Sequence, residues 1–184
     1  MNKKKIANLL QKYFSNVWYY YLYYKAAKKI GYNNKQKNDA FARLLELSKD
    51  KKCLQIGVRR KKFSQNWVSV DLYDKSDCID YNYDIHDLKF VDNTFDAVVC
   101  NAVLEHVENP QKAISELHRV LKPGGLIWVE VPFNQPYHGS PNDFWRVTLA
   151  GIRIWLSDFE EISAGYFSPT KSPIHNGVYF NGKK

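Results

Sequence analysis

The chain has 184 residues, of which 45% are hydrophobic and 25% charged, and it carries a net charge of +8 at pH 7. These values are typical of one globular domain, and no apolar run approaches the roughly 20 residues that a membrane-spanning helix needs. Its three cysteines form no C-x-x-C pair, and Cys53 and Cys100 lie in apolar runs. The sequence therefore predicts neither a metal site nor disulfide bonds, and it favours a cytoplasmic location.

Residues 1–38 differ from the rest of the chain in charge. They contain nine lysines and no acidic residue, so the remainder holds 18 basic and 19 acidic side chains. Apolar and aromatic residues recur there at helical spacing, which predicts an amphipathic helix. We divide the chain into this N-terminal arm and an α/β domain over residues 39–184. The arm is expected either to cover the domain as a lid or to make a peripheral membrane contact.

After the arm, Asp39 is expected to cap a helix whose apolar side includes Phe41 and Leu44. From Cys53 onward, short apolar runs alternate with turn residues, which is typical of a mainly parallel sheet covered by helices. The predicted strands cover residues 53–57, 68–70, 79–83, 95–100 and 126–131. A helix capped by Asn109 should end at Pro123-Gly124-Gly125. A further helix is predicted over residues 149–156, with weaker strands over 159–162 and 178–180.

The residues that directly follow the predicted strands form a chemically consistent set. Ligands of open α/β sheets bind at the carboxyl ends of the strands. Gly57 permits close approach to the backbone, and the carboxylate of Asp71 can accept both hydroxyls of a ribose. Asp84 could accept from an exocyclic amine beside the apolar wall of Ile85. Together these residues predict a nucleoside site.

Three segments, VDLYD, DIHDLKFVDNTFDAVVCNAVLEHVENPQKAISELHRVLKPGG and LIWVEVP, resemble the type-11 branch of class I S-adenosylmethionine-dependent methyltransferases. The resemblance covers about residues 53–160. It implies a Rossmann-like fold, S-adenosylmethionine as cofactor and transfer of its methyl group. It also implies that the cofactor-binding residues are Gly57 at the methionine part, Asp71 and Leu72 at the ribose, Asp84 and Ile85 at the adenine, and Asn101 near the sulfonium.

The first loop departs from the family pattern D-x-G-x-G-x-G. This chain has Gln55, Gly57, Arg59 and Lys61 at the corresponding positions. The interval from Gly57 to Asp71 is short, so we expect the first crossover to be trimmed to a loop or a single turn. Arg59 or Arg60 could pair with the carboxylate of the cofactor, or the RRKK segment could be a solvated surface turn.

Two histidines are candidates for a general base at the acceptor. His106 follows the fourth strand, where it could instead simply pack the next turn, and His138 lies in the loop after the fifth strand. That loop also contains Asn142, Asp143, Trp145 and Arg146, although Asp143 and Arg146 could merely pair with each other. Similar loops occur in methyltransferases of this branch that are associated with polysaccharide and cell-envelope synthesis. This resemblance suggests a sugar or glycolipid acceptor.

Two other functions compete with this interpretation. A methyltransferase-like fold with an altered glycine loop could be a binding module without catalysis. A nucleic-acid methyltransferase could use the basic arm to hold phosphates. The near-neutral domain disfavours the second alternative, and so does the absence of an N-P-P-[YF]-type motif after the fourth strand.

Overall fold

The computed structural model describes residues 34–58, 61–168 and 176–184. Its strands are β1 (Cys53–Ile56), β2 (Trp67–Val70), β3 (Phe95–Asn101), β4 (Leu121–Pro132), β5 (Glu160–Phe167) and β6 (Gly177–Lys183). The helices are α1 (Asn34–Leu47), α2 (Pro110–Val120) and α3 (Leu149–Trp155), and a 3₁₀ helix spans Leu104–His106. Most of the predicted arm, residues 1–33, lies outside the described residues, so its amphipathic helix stays a prediction.

The strands form one six-stranded sheet in the order β2-β1-β3-β4-β6-β5. Strands β1 to β4 pair in parallel, whereas β6 is antiparallel to both β4 and β5. The chain leaves β1 toward β2 on one side and returns to β3 on the other, so the strand order switches between β1 and β3. The predicted Rossmann-like α/β fold is confirmed, and this switch point is where such sheets bind ligands.

Alternate residues along the central strands face opposite sides of the sheet. Leu54 and Val98 belong to the larger core cluster, which α2 and α3 cover with Leu117 and Ile152 among others. Cys53 and Trp128 belong to the smaller cluster, which Leu44 of α1 covers. The two clusters bury both faces of the sheet, as a parallel sheet requires.

The predicted start of the first helix is wrong. Helix α1 already includes Asn34, so Asp39 lies within it rather than at its cap. Lys37 holds the added turn against the sheet, because its Nζ lies 2.8 Å from Glu130 Oε1 and 4.2 Å from the centre of the Phe167 ring. The helix thus crosses the proposed boundary between residues 38 and 39, and the division into an arm and a domain remains a prediction.

The predicted third strand, over residues 79–83, is reduced to a single bridge between Val70 and Tyr81. Side-chain bonds replace much of the expected ladder at this edge. Asp80 Oδ2 accepts the Ser69 backbone N–H at 2.8 Å, and Ser69 Oγ donates to Cys78 O at 2.6 Å. The segment therefore lies beside β2 without extending the sheet by a full strand.

The boundary between α2 and β4 also differs from the prediction. Helix α2 begins as expected, with Asn109 Oδ1 accepting from Lys112 N at 3.0 Å, but β4 starts at Leu121. Residues 123–125 lie inside the strand, where the register with β3 shifts between Phe95 and Ala97. Pro123 cannot donate to the ladder and Gly124 has a φ of +77°, so this Pro-Gly-Gly run forms an irregularity within a strand.

The predicted elements near the end of the chain are confirmed. Helix α3 begins after Thr148, whose Oγ1 accepts from Gly151 N at 3.0 Å. Both weaker strand candidates exist as β5 and β6, and both are longer than expected. All three cysteines are free thiols. No helix among the described residues is both long and apolar enough to cross a membrane.

Candidate functional site

A cleft of about 910 Å³ opens at the carboxyl ends of β1, β2 and β3. Every predicted cofactor-binding residue and both predicted catalytic histidines line it: Gly57, Asp71, Leu72, Asp84, Ile85, Asn101, His106 and His138. The parallel sheet brings these distant positions together because each follows a strand or a loop at the same edge. Their chemical roles remain predictions.

Gly57 ends β1 in a conformation that other residues rarely adopt, with a φ of +74°. A β-carbon at this position would lie 2.3 Å from Val103 Cγ2 and 3.2 Å from Asn101 O. Glycine is therefore required by both backbone and packing. The space that a side chain would take here is filled by Val103, and Gly57 itself lines the cleft.

Asp71 and Asp84 have the same local structure at two neighbouring positions. Asp71 Oδ1 accepts the backbone N–H groups of Tyr73 and Asp74 at 2.9 and 3.0 Å. Asp84 Oδ1 accepts both the backbone N–H and the Nδ1 of His86 at 2.8 and 2.7 Å. These turns fix each carboxylate through one oxygen. No hydrogen bond among the described residues engages either Oδ2.

The environment of Asp84 favours its ionised form. Partial burial opposes ionisation, but the hydrogen bonds from His86 outweigh it and lower the pKa of the Asp84 carboxyl below its ordinary value. Beside it, the Ile85 side chain is 6% exposed and belongs to the larger core cluster. An anionic acceptor thus lies next to an apolar side chain.

At the end of β3, Asn101 and Ala102 form an unusual turn. The Asn101 Oδ1 atom is buried and has no hydrogen-bond partner in the described part of the chain. Ala102 has a φ of +51°, and its N–H donates to Glu130 O at 2.9 Å. Both residues line the cleft. A left-handed alanine beside an unsatisfied polar atom is the kind of local strain that occurs at binding sites.

The two predicted histidines lie side by side in the lining of the cleft. The rings of His106 and His138 are 5.1 Å apart, centre to centre. Between them lies Glu105, whose Oε1 is 3.7 Å from the Nε2 of each histidine. The Glu105 side chain is 0% exposed. Its burial raises the pKa of the carboxyl, although the backbone N–H of Glu105 and then the neighbouring histidines act in the opposite direction.

The ion pair of Asp143 and Arg146, one of the two interpretations that the sequence allows, holds the loop after β4 in place. Arg146 donates from Nη1 and Nη2 to the two oxygens of Asp143, each at 2.6 Å. The Asp143 side chain is 0% exposed, and its Oδ2 also accepts the His138 backbone N–H at 2.7 Å. Since Arg146 further donates to the carbonyls of Gln135 and Pro136, this pair holds His138 in place. Asn142, by contrast, lines the cleft.

Sequence reasoning missed Glu105, which lies at the centre of the histidine pair. In the motif LEHV it stands between Leu104 and His106, and a single acid there resembles any surface residue. It also missed that Gln55 is structural: Gln55 Oε1 accepts Phe63 N at 3.1 Å, and its Nε2 donates to Lys61 O at 3.4 Å. These bonds brace the trimmed first crossover, which contains no helix among its described residues. Arg59 and Arg60 lie outside the described residues.

Comparison with known proteins identifies the segment that contains the predicted cofactor-binding residues. The family model Methyltransf_11, described as a methyltransferase domain, matches residues 31–129. A 61-residue segment is 39% identical to thiol S-methyltransferase TMT1B of Rattus norvegicus and covers 33% of this chain and 25% of that protein. The ubiquinone/menaquinone biosynthesis C-methyltransferase UbiE of a Ruegeria species is 41% identical over 69 residues, with 37% and 26% covered. The chain thus matches about a quarter of the length of these relatives.

Solved structures agree on the fold. A 1,6-didemethyltoxoflavin-N1-methyltransferase of Burkholderia thailandensis, with bound S-adenosylhomocysteine, superposes with a TM-score of 0.62 at 15% identity, covering 100% of this chain and 91% of that one. An S-adenosylmethionine-dependent methyltransferase of Methanosarcina mazei has a TM-score of 0.56 at 18% identity, covering 73% and 92%. At these identities the likeness concerns the fold alone.

Proposed function

Because the chain belongs to the type-11 branch of class I S-adenosylmethionine-dependent methyltransferases, we propose that it transfers a methyl group to an acceptor bound near His106 and His138. One observation carries the proposal. A single cleft is lined both by the acids that suit a nucleoside and by the two histidines. Cofactor and acceptor can therefore meet within it.

The residues predicted to bind the cofactor fit S-adenosylmethionine, which when bound supplies a methyl group on an electrophilic sulfonium. Asp71 and Asp84 each hold one carboxylate oxygen in a turn, so the other oxygen is available to ribose hydroxyls or to an adenine amine. The unpartnered Asn101 Oδ1 and the backbone of Gly57, both of residues that line the cleft, are further proposed contacts for the same ligand. Leu72 and Ile85, which also line the cleft, add apolar surface. Arg59 or Arg60 remains the proposed partner of the carboxylate.

The polar side chains that line the cleft with the two histidines support a polar acceptor. The lining includes His106, His138, Ser140 and Asn142. Such groups suit a ligand with several hydroxyls, and we propose a sugar or a glycolipid. The two histidines act on the acceptor, with His138 the more accessible because its side chain is 36% exposed against 15% for His106. The enzyme has to hold the acceptor atom in line with the methyl group and exclude water.

The test is formation of S-adenosylhomocysteine by the full chain incubated with S-adenosylmethionine and separated glycan and lipid fractions. His138→Ala should depress turnover on the active fraction and leave cofactor affinity nearly unchanged, because its role is on the acceptor side. His118→Ala is the matched control, since His118 packs against the Phe159 ring outside the cleft. Equal turnover of the wild type and His138→Ala would remove His138 from the site.

A further inference from the structure

Glu105 is buried without compensation. Its side chain is 0% exposed, and neither carboxylate oxygen accepts a hydrogen bond within the described parts of the chain. An unpaired buried carboxylate is destabilising, and most proteins neutralise it with a cation or several donors. The groups closest to it that could do so are His106 and His138, but at 3.7 Å both lie beyond hydrogen-bond distance.

The hydrogen bonds of the two histidines fix which ring nitrogen faces Glu105. His106 Nδ1 lies 2.5 Å from Asn142 O, an acceptor, so this nitrogen carries the proton. His138 Nδ1 lies 3.0 Å from Pro136 O. Arg146 Nη2 is also 3.3 Å from this nitrogen, but its two hydrogens are used by Pro136 O and Asp143 Oδ2. In the neutral rings both Nε2 atoms are therefore unprotonated, and each lies 3.7 Å from Glu105 Oε1.

This arrangement is the one that proteins use around a bound metal ion. Metal-ligating histidines donate their other ring N–H to a carbonyl or carboxylate, which fixes the tautomer and orientation. One donor atom from each of the three residues lies within 4.8 Å of the other two. Ligands at about 2.1 Å from one ion can be at most about 4.2 Å apart, and the two 3.7 Å separations from Glu105 Oε1 lie within this limit.

We infer that Glu105, His106 and His138 bind a divalent transition-metal ion at the acceptor end of the cleft. Two imidazoles and one carboxylate suit Zn²⁺ and its neighbours rather than Mg²⁺ or Ca²⁺, which prefer oxygen ligands. Three protein ligands leave coordination positions open, as in catalytic rather than structural zinc sites. Glu105 would bind the ion from the protein interior, and both histidines line the cleft. The open coordination positions would therefore face the cleft.

The site also suggests which acceptors fit. An open position on a divalent ion binds oxygen donors such as a hydroxyl or a carboxylate and makes a bound hydroxyl more acidic. This extension rests on the proposed function, whereas metal binding itself does not. The two histidines would then act on the acceptor through the ion rather than as a free base.

The experiment is calorimetric titration of the full chain, stripped with a chelator, with Zn²⁺ alone, supported by the visible absorption of the Co²⁺ form. We expect one Zn²⁺ per chain. Zn²⁺ affinity should fall in each of three variants, His106→Ala, His138→Ala and Glu105→Gln. Removing a residue that only hydrogen-bonds to a metal ligand lowers affinity roughly 10- to 100-fold. Removing a ligand itself should lower it by more. His118→Ala should bind as the wild type does. Retained affinity for S-adenosylmethionine shows that each variant is folded.

The failures of the two proposals are distinguishable. If the wild type binds S-adenosylmethionine but no Zn²⁺, or if the three ligand variants bind Zn²⁺ as tightly as the wild type, the metal inference is overturned and the methyltransferase proposal stands. If the wild type binds Zn²⁺ but not S-adenosylmethionine, the metal site stands and the proposed function fails.

Discussion

The two carboxylate oxygens of Asp71 have different tasks. Oδ1 orders the turn through Tyr73 and Asp74, while Oδ2 is proposed to accept from the ribose. Asp71→Asn keeps an amide oxygen for the turn but replaces the other oxygen with a donor. We expect affinity for S-adenosylmethionine to fall by two orders of magnitude or more, because two charge-assisted bonds of about 1.5–3 kcal/mol each are lost.

Calorimetry with Asp87→Asn as control checks this expectation, since Asp87 pairs with Lys89 at the surface. Asp71→Ala should lose at least as much affinity, because it also removes the turn. Unchanged affinity in Asp71→Asn would mean that the ribose lies elsewhere.

Glu105 should reduce stability when no metal is present. Its raised pKa means that the folded state binds more protons than the unfolded state between the two pKa values. The stability of the wild type therefore falls as pH rises above the ordinary value of about 4.3 toward the folded pKa. Glu105→Gln removes this penalty, and we expect the chelated variant to be about 1–3 kcal/mol more stable at pH 8.

Urea unfolding of both chelated proteins at pH 5 and pH 8 measures the difference. The difference in free energy of unfolding between Glu105→Gln and the wild type should increase toward pH 8. It should shrink or change sign when Zn²⁺ is added, because only the wild type keeps the carboxylate ligand. A chelated Glu105→Gln that is less stable than the wild type at pH 8 would show that the carboxylate has a partner.

Single residues were predictable where a simple rule places them. Gly57 and Asp71 follow strands, and Asp84 follows the segment that bridges to β2. The rule that ligands bind at strand ends locates these residues without any contact information. Glu105 was not predictable, because its burial depends on the loop after β4 folding over it. Phe144 N donates to Glu105 O at 2.7 Å, and a contact 39 residues apart leaves no local pattern.

At the scale of elements, α2 fastens the segment that leads from Asp84 to β3. Arg119 donates to Phe90 O at 2.7 Å and to Leu88 O at 2.8 Å, and Glu116 Oε2 accepts Leu88 N at 2.9 Å. Arg119→Ala should destabilise the fold by about 1–2 kcal/mol, a range reduced for its partial exposure. Arg153→Ala, which breaks the more exposed pair with Glu161, should cost less than about 1 kcal/mol.

The same clamp should depend on pH. The hydrogen bond from Arg119 lowers the pKa of Glu116 despite partial burial. Its stabilisation is therefore present above the ordinary pKa of about 4.3 and is lost as pH falls through the lowered folded value. Urea unfolding should show a higher free energy of unfolding for the wild type than for Arg119→Ala at pH 7, and a smaller difference between the two at pH 3. A constant difference would mean that the backbone carbonyls alone account for the effect.

Helices with clear caps were predicted closely, whereas elements shaped by side chains were not. Asn109 and Pro110 mark the start of α2 in the sequence itself. The prediction of a third strand was wrong because Asp80 accepts the backbone N–H of Ser69. The predicted start of β4 was wrong because a Pro-Gly-Gly run usually ends an element, whereas here it continues as an irregularity within the strand. In both places a specific tertiary contact overrides the local pattern.

At the scale of the whole molecule, the basic arm has two predicted roles with opposite consequences. An anchor uses its lysines, each adding about 1 kcal/mol at an anionic surface, and weakens as salt screens them. Deleting residues 1–30 should then abolish sedimentation with anionic vesicles and leave cofactor binding intact. A lid should show no vesicle binding at low salt and should lose cofactor affinity on deletion. A truncated chain that keeps both vesicle binding and cofactor affinity would contradict both roles.

The central claim is that the cleft at the ends of β1, β2 and β3 binds S-adenosylmethionine despite its altered first loop. Calorimetric titration of the full chain with S-adenosylmethionine tests it most directly. We expect one site per chain, a dissociation constant in the range of about 1 µM to 1 mM that is usual for enzyme substrates, and competition by S-adenosylhomocysteine. Absence of binding at about 1 mM ligand, at the upper end of that range, would contradict the claim and leave a methyltransferase fold without its cofactor.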